Sequence, residues 1–121
     1  MRVHYLGPAL PEFLPQSIEL DANLLSPMRY LVEVHDEAGV EGDVIEGDLL
    51  VVDESRPIQH DDLVIVQSED ALRVFRCHRM GGRLLLIPTV RPSESVFAYR
   101  SDCRGVVIHR ARVSALIEQD G

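Results

Sequence analysis

Three groupings of side chains have types and spacings that chemistry could use. His35-Asp36-Glu37 sets an imidazole beside two carboxylates, the composition of an acid–base relay. The next residue is Ala38, so no nucleophile is positioned there. Asp36, Glu37, Glu41, Asp43, Glu46 and Asp48 put carboxylates at six of thirteen positions. Ca2+ asks for clustered oxygens of this kind, but the spacing is not that of an EF-hand loop. The stretch reads as a solvated acidic loop, or as one that docks on a basic partner. His35, Cys77, His78, Cys103 and His109 are zinc-ligand types. Adjacent Cys77 and His78 point to opposite faces of a strand, however, so the reading is buried thiols and surface imidazoles. Met80-Gly81-Gly82 is too short for a phosphate loop and reads as a hairpin tip. No metal or other cofactor is expected.

The twelve basic residues are all arginines, and the chain contains no lysine. This excludes any mechanism in which a neutral lysine takes a proton, and arginine cannot substitute, because a guanidinium with a pKa above ~12 is not deprotonated at neutral pH. The formal net charge is −8. DNA binding through phosphates needs a basic face, so strong direct DNA binding is not expected. Arginines do gather loosely at 73, 76, 79 and 83 and at 100, 104, 110 and 112, which leaves room for a local basic stripe. The two cysteines do not make a disulfide framework and are expected reduced. The sequence lacks an apolar run of membrane-spanning length and the unbroken apolar core of a secretory leader. A cytoplasmic location is expected, with no membrane partner.

These residues need a scaffold, and 121 of them suffice for one core. Residues 1–28 read as an N-terminal arm, because Pro8, Pro11 and Pro15 each remove a backbone donor and fix φ. Phe13, Leu14, Ile18, Leu20, Leu24 and Leu25 would hold an extended segment against the domain, with one helical turn at Asp21–Leu25 capped by Asp21. Residues 1–16 are expected to pack loosely or to be borrowed by a neighbouring chain. Residues 29–121 read as a β domain. Its short apolar, β-branched segments are Tyr30–Val34, Leu49–Val52, Leu63–Gln67, Leu72–His78, Arg83–Pro88 and Gly105–His109. Turn signals separate them at Glu46-Gly47-Asp48, Arg56-Pro57, Asp61-Asp62, Glu69-Asp70, Met80-Gly81-Gly82 and Arg91-Pro92. Val113–Ile117 reads either as a last strand or as a helical turn. The class is mainly β, a twisted antiparallel sheet or half-barrel.

The run Gly47-Asp48-Leu49-Leu50-Val51-Val52-Asp53 resembles the GDLLxVD strand of the LexA/UmuD family of self-cleaving serine peptidases. Ser17–Asp21 is similar to the opening segment of UmuD-type proteins. Asp61-Asp62-Leu63-Val64-Ile65 falls where the family has its GD-I-V-I strand, Leu85–Pro88 matches its L-I-P element, and Gly105–His109 its closing G-V-V-I-H strand. The resemblance covers roughly residues 16–112 in matching order and is nearest to UmuD. Before residue 16 there is no room for a helix-turn-helix domain, and the start lies near that of a processed, UmuD-prime form.

The resemblance implies a Ser–Lys dyad in which a buried, neutral lysine activates a serine. The family's serine lies in a G-D-S-M motif ten residues before the glycine–aspartate pair. The aligned stretch here is Asp36-Glu37-Ala38-Gly39, with Ala38 at the serine position. The family's T-V-K-K-like stretch reads Arg73-Val74-Phe75-Arg76, with Phe75 at the lysine position. The family cuts its own arm between a small residue and Gly, whereas the arm here offers Leu6-Gly7. The expectation is a pseudo-peptidase: a homodimer that binds a Y-family translesion polymerase in the response to DNA damage, with a RecA-type recombinase filament as a further partner. The alternatives are a self-cleaving peptidase working through a different arrangement, and a modulator that forms mixed dimers with an active relative. Val106, Val107 and Ile108 form a continuous apolar run, read as the dimer interface or as a strand of the monomer's own core.

Overall fold

The computed structural model describes residues 2–15, 18, 20–35, 46–68, 71–88 and 95–111. Among the described residues, eight strands form one antiparallel sheet: β1 (Arg2–Ala9), β2 (Ser26–Val34), β3 (Leu49–Asp53), β4 (Leu63–Ser68), β5 (Ala71–Met80), β6 (Arg83–Pro88), β7 (Val96–Ala98) and β8 (Cys103–Ala111). Helical structure among them is limited to short 3-10 turns such as Pro11–Phe13, Ala22–Leu24 and Arg100–Asp102. The mainly β reading holds, and each of the six expected strands is present, Arg83–Pro88 with the expected bounds and the other five longer at one or both ends.

The strand order is β1-β2-β3-β8-β4-β5-β6-β7, and β1 also pairs with β5. Arg2 lies opposite Arg73 and Val3 opposite Leu72. That contact closes β1-β2-β3-β8-β4-β5 into a barrel, with β6 and β7 continuing outward from β5. Closure satisfies backbone groups that an open sheet would leave at its edge.

Every strand of the ring sends side chains to its interior. Val3, Tyr30, Val32, Val34, Leu50, Val52, Ile65 and Val74 form one buried cluster, with Leu63, Leu72 and Val107 packed against it. Two further clusters cover the outside. Ala9, Leu31, Leu49 and Val51 pack under Leu6, Leu14, Ile18 and Leu20. Ile58, Val64, Val66, Cys77, Leu84, Leu86 and Val106 form the other. β3 is therefore buried on both faces, which explains why Leu49-Leu50-Val51-Val52 is continuously apolar rather than alternating.

One expectation needs correction. Residues 2–9 are extended but not loose, since β1 is hydrogen-bonded to β2 from Val3 opposite Val34 to Ala9 opposite Ser26. Gly7 and Pro8 are unusual inside a strand. The pairing tolerates them through register shifts between Tyr5 and Gly7 and between Pro8 and Ala9. The segment after β1 does lie on the domain as expected, and Asp21 caps the Ala22–Leu24 turn by accepting from the Asn23 amide at 2.9 Å. Arg29 then clamps β2 to the end of β3, its Nε 2.9 Å from the Asp53 carboxylate, which also accepts from the Ser55 amide and hydroxyl. Burial pushes the Asp53 carboxyl upward, but the hydrogen bonds from Arg29 and Ser55 outweigh it and hold the pKa at about 2.

β8 is the most irregular strand. Val51 and Val52 face His109 and Val107, so Ile108 is an extra residue. Ile65 and Val66 face Gly105 and Cys103, so Arg104 is another. Two bulges, one against each neighbour, turn the strand between them.

Candidate functional site

β5 is the wall shared by two cores, and its alternation decides what each residue meets. Leu72 and Val74 face the barrel interior, whereas Phe75 and Cys77 face the outer cluster. Phe75 sits opposite Val64 on β4 and Pro88 on β6. Its half-buried ring lines a hollow of about 320 Å³ with Val66, Gln67, Leu86, Val96, Ala98, Ser101, Asp102 and Arg104. Of these, Asp102 and Arg104 are ionisable. The Asp102 carboxylate already accepts from the Tyr99 amide at 2.9 Å. Phe75 thus presents an aromatic ring packed on the outer core. Ala38 lies outside the described residues, as do Asp36, Glu37, Glu41, Asp43 and residues 112–121.

The arm's candidate for a family cleavage bond, Leu6-Gly7, lies inside β1. Gly7 is buried and paired with Leu31 of β2. Presenting it to any active site requires stripping β1 from its neighbours.

Val106, Val107 and Ile108 are each claimed by a different part of the monomer. Val106 belongs to the outer β4–β6 cluster, Val107 packs on the barrel interior, and Ile108 packs on the cluster under the N-terminal segment. β8 is flanked by β3 and β4. The edge position that motivated an interface at this run is therefore not where Val106 sits, and a charge placed at Val107 probes the barrel core. The pairing of β8 with β3 runs on to Ala111, while its pairing with β4 involves Cys103, Gly105 and Val106.

The proposed zinc types are dispersed over distinct environments. Cys77 and Cys103 share the outer cluster. Burial raises both thiols, Cys103 to about 11 with Cys77 and Asp102 adding to the effect, so neither is a reactive thiolate. The His35 ring has its Nε2 2.9 Å from Glu33 Oε1 and lies beside His4. His109 is exposed on β8. His78 does have company, though not from that set: it meets His60 and Asp61. Sequence reasoning passed over His60, because its meeting with His78 depends on the turn before β4 docking against β5.

The one large antiparallel sheet is consistent with a mainly β fold like that of the LexA/UmuD C-terminal domain. No protein-family model matches the chain. It is 29% identical over 106 residues to the LexA repressor of Halorhodospira halophila (strain DSM 244 / SL1), a match that covers 87% of this chain and 46% of that protein. The similarity supports a LexA/UmuD-like family, and the chain spans about half the length of this relative. No helix among the described residues is long and apolar enough to cross a membrane.

Proposed function

We propose that this chain is a non-catalytic, UmuD-prime-like accessory protein of the DNA-damage (SOS) response. In this reading it acts in the cytoplasm as a homodimer that binds a Y-family translesion polymerase. The observation that carries the reading is Phe75. A fold resembling a Ser–Lys peptidase has been kept, yet the lysine position is filled by an aromatic ring packed on the outer core, in a chain with no lysine anywhere. Dimerisation and docking need surfaces rather than a dyad, so a domain of this kind can lose its chemistry and keep its partners.

In this reading the dimer is built around the Gly105–His109 strand, and it rests on the resemblance to the LexA/UmuD family. The wild-type chain is expected to sediment as a dimer at micromolar concentration and, when tagged, to retain a Y-family polymerase from the same genome on affinity resin. A monomer in the centrifuge contradicts the dimer. A dimer that fails to retain the polymerase contradicts the accessory role.

A further inference from the structure

We propose that His60, Asp61 and His78 form a binding site for a divalent transition-metal ion of the Zn2+ type. The inference stands independently of the polymerase reading. The nitrogen and oxygen atoms that these side chains offer all lie within 4.8 Å of one another. One Asp61 carboxylate oxygen, Oδ1, lies 3.1 Å from His78 Nε2 and 3.8 Å from His60 Nε2. Ligand atoms about 2.1 Å from a tetrahedral zinc ion are separated by roughly 3.4 Å. The His78–Asp61 spacing is already near that value, and the His60 ring has only a short distance to swing. The two rings face each other with centroids 4.7 Å apart and planes tilted by 36°, leaving the carboxylate at their nitrogen edge.

The backbone fixes this arrangement. Asp61 has φ 71, the one positive value at a non-glycine among the described residues. Its amide donates to the Cys77 carbonyl at 2.7 Å, the Cys77 amide donates to the Asp62 carbonyl at 2.8 Å, and the Arg76 guanidinium donates to the Asp61 carbonyl. Asp62 turns its carboxylate inward to accept from the Gln59 amide at 2.7 Å, so it braces the turn. The turn is thus tied to β5 beside His78. Strained backbone of this kind persists where the surroundings over-determine it.

Two imidazoles and one carboxylate suit Zn2+, Co2+, Ni2+ or Cu2+. Ca2+ and Mg2+ prefer all-oxygen sets. All three side chains reach solvent, so an ion can enter and water can complete its shell. One feature opposes binding: the Arg79 amide donates to His60 Nδ1 at 3.2 Å, which keeps that ring's proton on Nε2. Coordination through Nε2 transfers the proton to Nδ1 through solvent and breaks this hydrogen bond.

The test is calorimetric titration of Zn2+ into the full chain, with His60→Ala, His78→Ala, His35→Ala and Cys103→Ser compared under the same conditions. The expected result is one equivalent bound by wild type, with affinity lowered about tenfold or more in both His60→Ala and His78→Ala and unchanged in His35→Ala and Cys103→Ser. Zn2+ should raise the unfolding temperature of wild type and leave that of His78→Ala unmoved. Circular dichroism of the variants confirms that they fold. Absence of binding by wild type overturns the proposal. So does wild-type affinity retained in either histidine variant, or binding lost in Cys103→Ser, which would place the ion at the thiols.

Discussion

Gly105→Ala is expected to lower the thermal unfolding midpoint by roughly 15 °C. Gly105 takes φ 145, a conformation that residues with a Cβ rarely adopt. A Cβ there would lie 2.6 Å from Val52 Cγ1 and 3.0 Å from the Asp53 carbonyl oxygen. Val52 is fully buried in the barrel and cannot retreat, and the Asp53 carbonyl belongs to β3. Backbone strain and overpacking each cost about 1–3 kcal/mol, which together come to about 4 kcal/mol. That is a large fraction of the ~5–15 kcal/mol that holds a domain together. Circular dichroism on heating measures the shift. An unchanged midpoint would mean that β8 does not approach β3 as closely as described.

Ala38→Ser combined with Phe75→Lys is expected to produce no self-cleavage and to destabilise the chain by about 2 kcal/mol. Lysine gives up the packing of the Phe75 ring on the outer cluster, although its stem can reach toward the hollow with the charge in water. A nucleophile and a base also need oxyanion donors and a shell that lowers the lysine pKa. Here the hollow presents Asp102 and Arg104, of which the carboxylate would stabilise a charged lysine. The bond available in cis, Leu6-Gly7, is locked in β1. Intact mass after incubation, with a small–Gly peptide supplied in trans, reads the outcome. Rapid cleavage of that peptide would show that the catalytic shell survives around residues 38 and 75.

The six long strands were legible because their apolar residues carry a β signature and turn residues bound them. Asp21 and the turn it caps were legible from local chemistry alone. β1 was obscured by Gly7 and Pro8, whose cost is met by bulges and by partners distant in sequence. β7 is a three-residue strand with mostly exposed side chains, too short for a period to register. Barrel closure depends on Arg2 meeting Arg73, and no local pattern encodes that. The run Val106-Val107-Ile108 reads as the dimer interface or as a strand of the monomer's own core, and strand alternation with the bulge at Ile108 distributes it among three clusters of the monomer. Phe75 was visible as a chemical absence, while its packing into the outer core required the fold. The His60–Asp61–His78 cluster was hidden because the adjacent pair and its third member belong to different elements.

The central claim, that the fold persists without peptidase chemistry, is tested most directly by the intact mass of the purified wild-type chain. It should be followed over a day at alkaline pH, with and without an activated recombinase filament. The account predicts a single species of unchanged mass in both conditions. A fragment that accumulates in proportion to intact chain, above all one ending at Leu6, would contradict it.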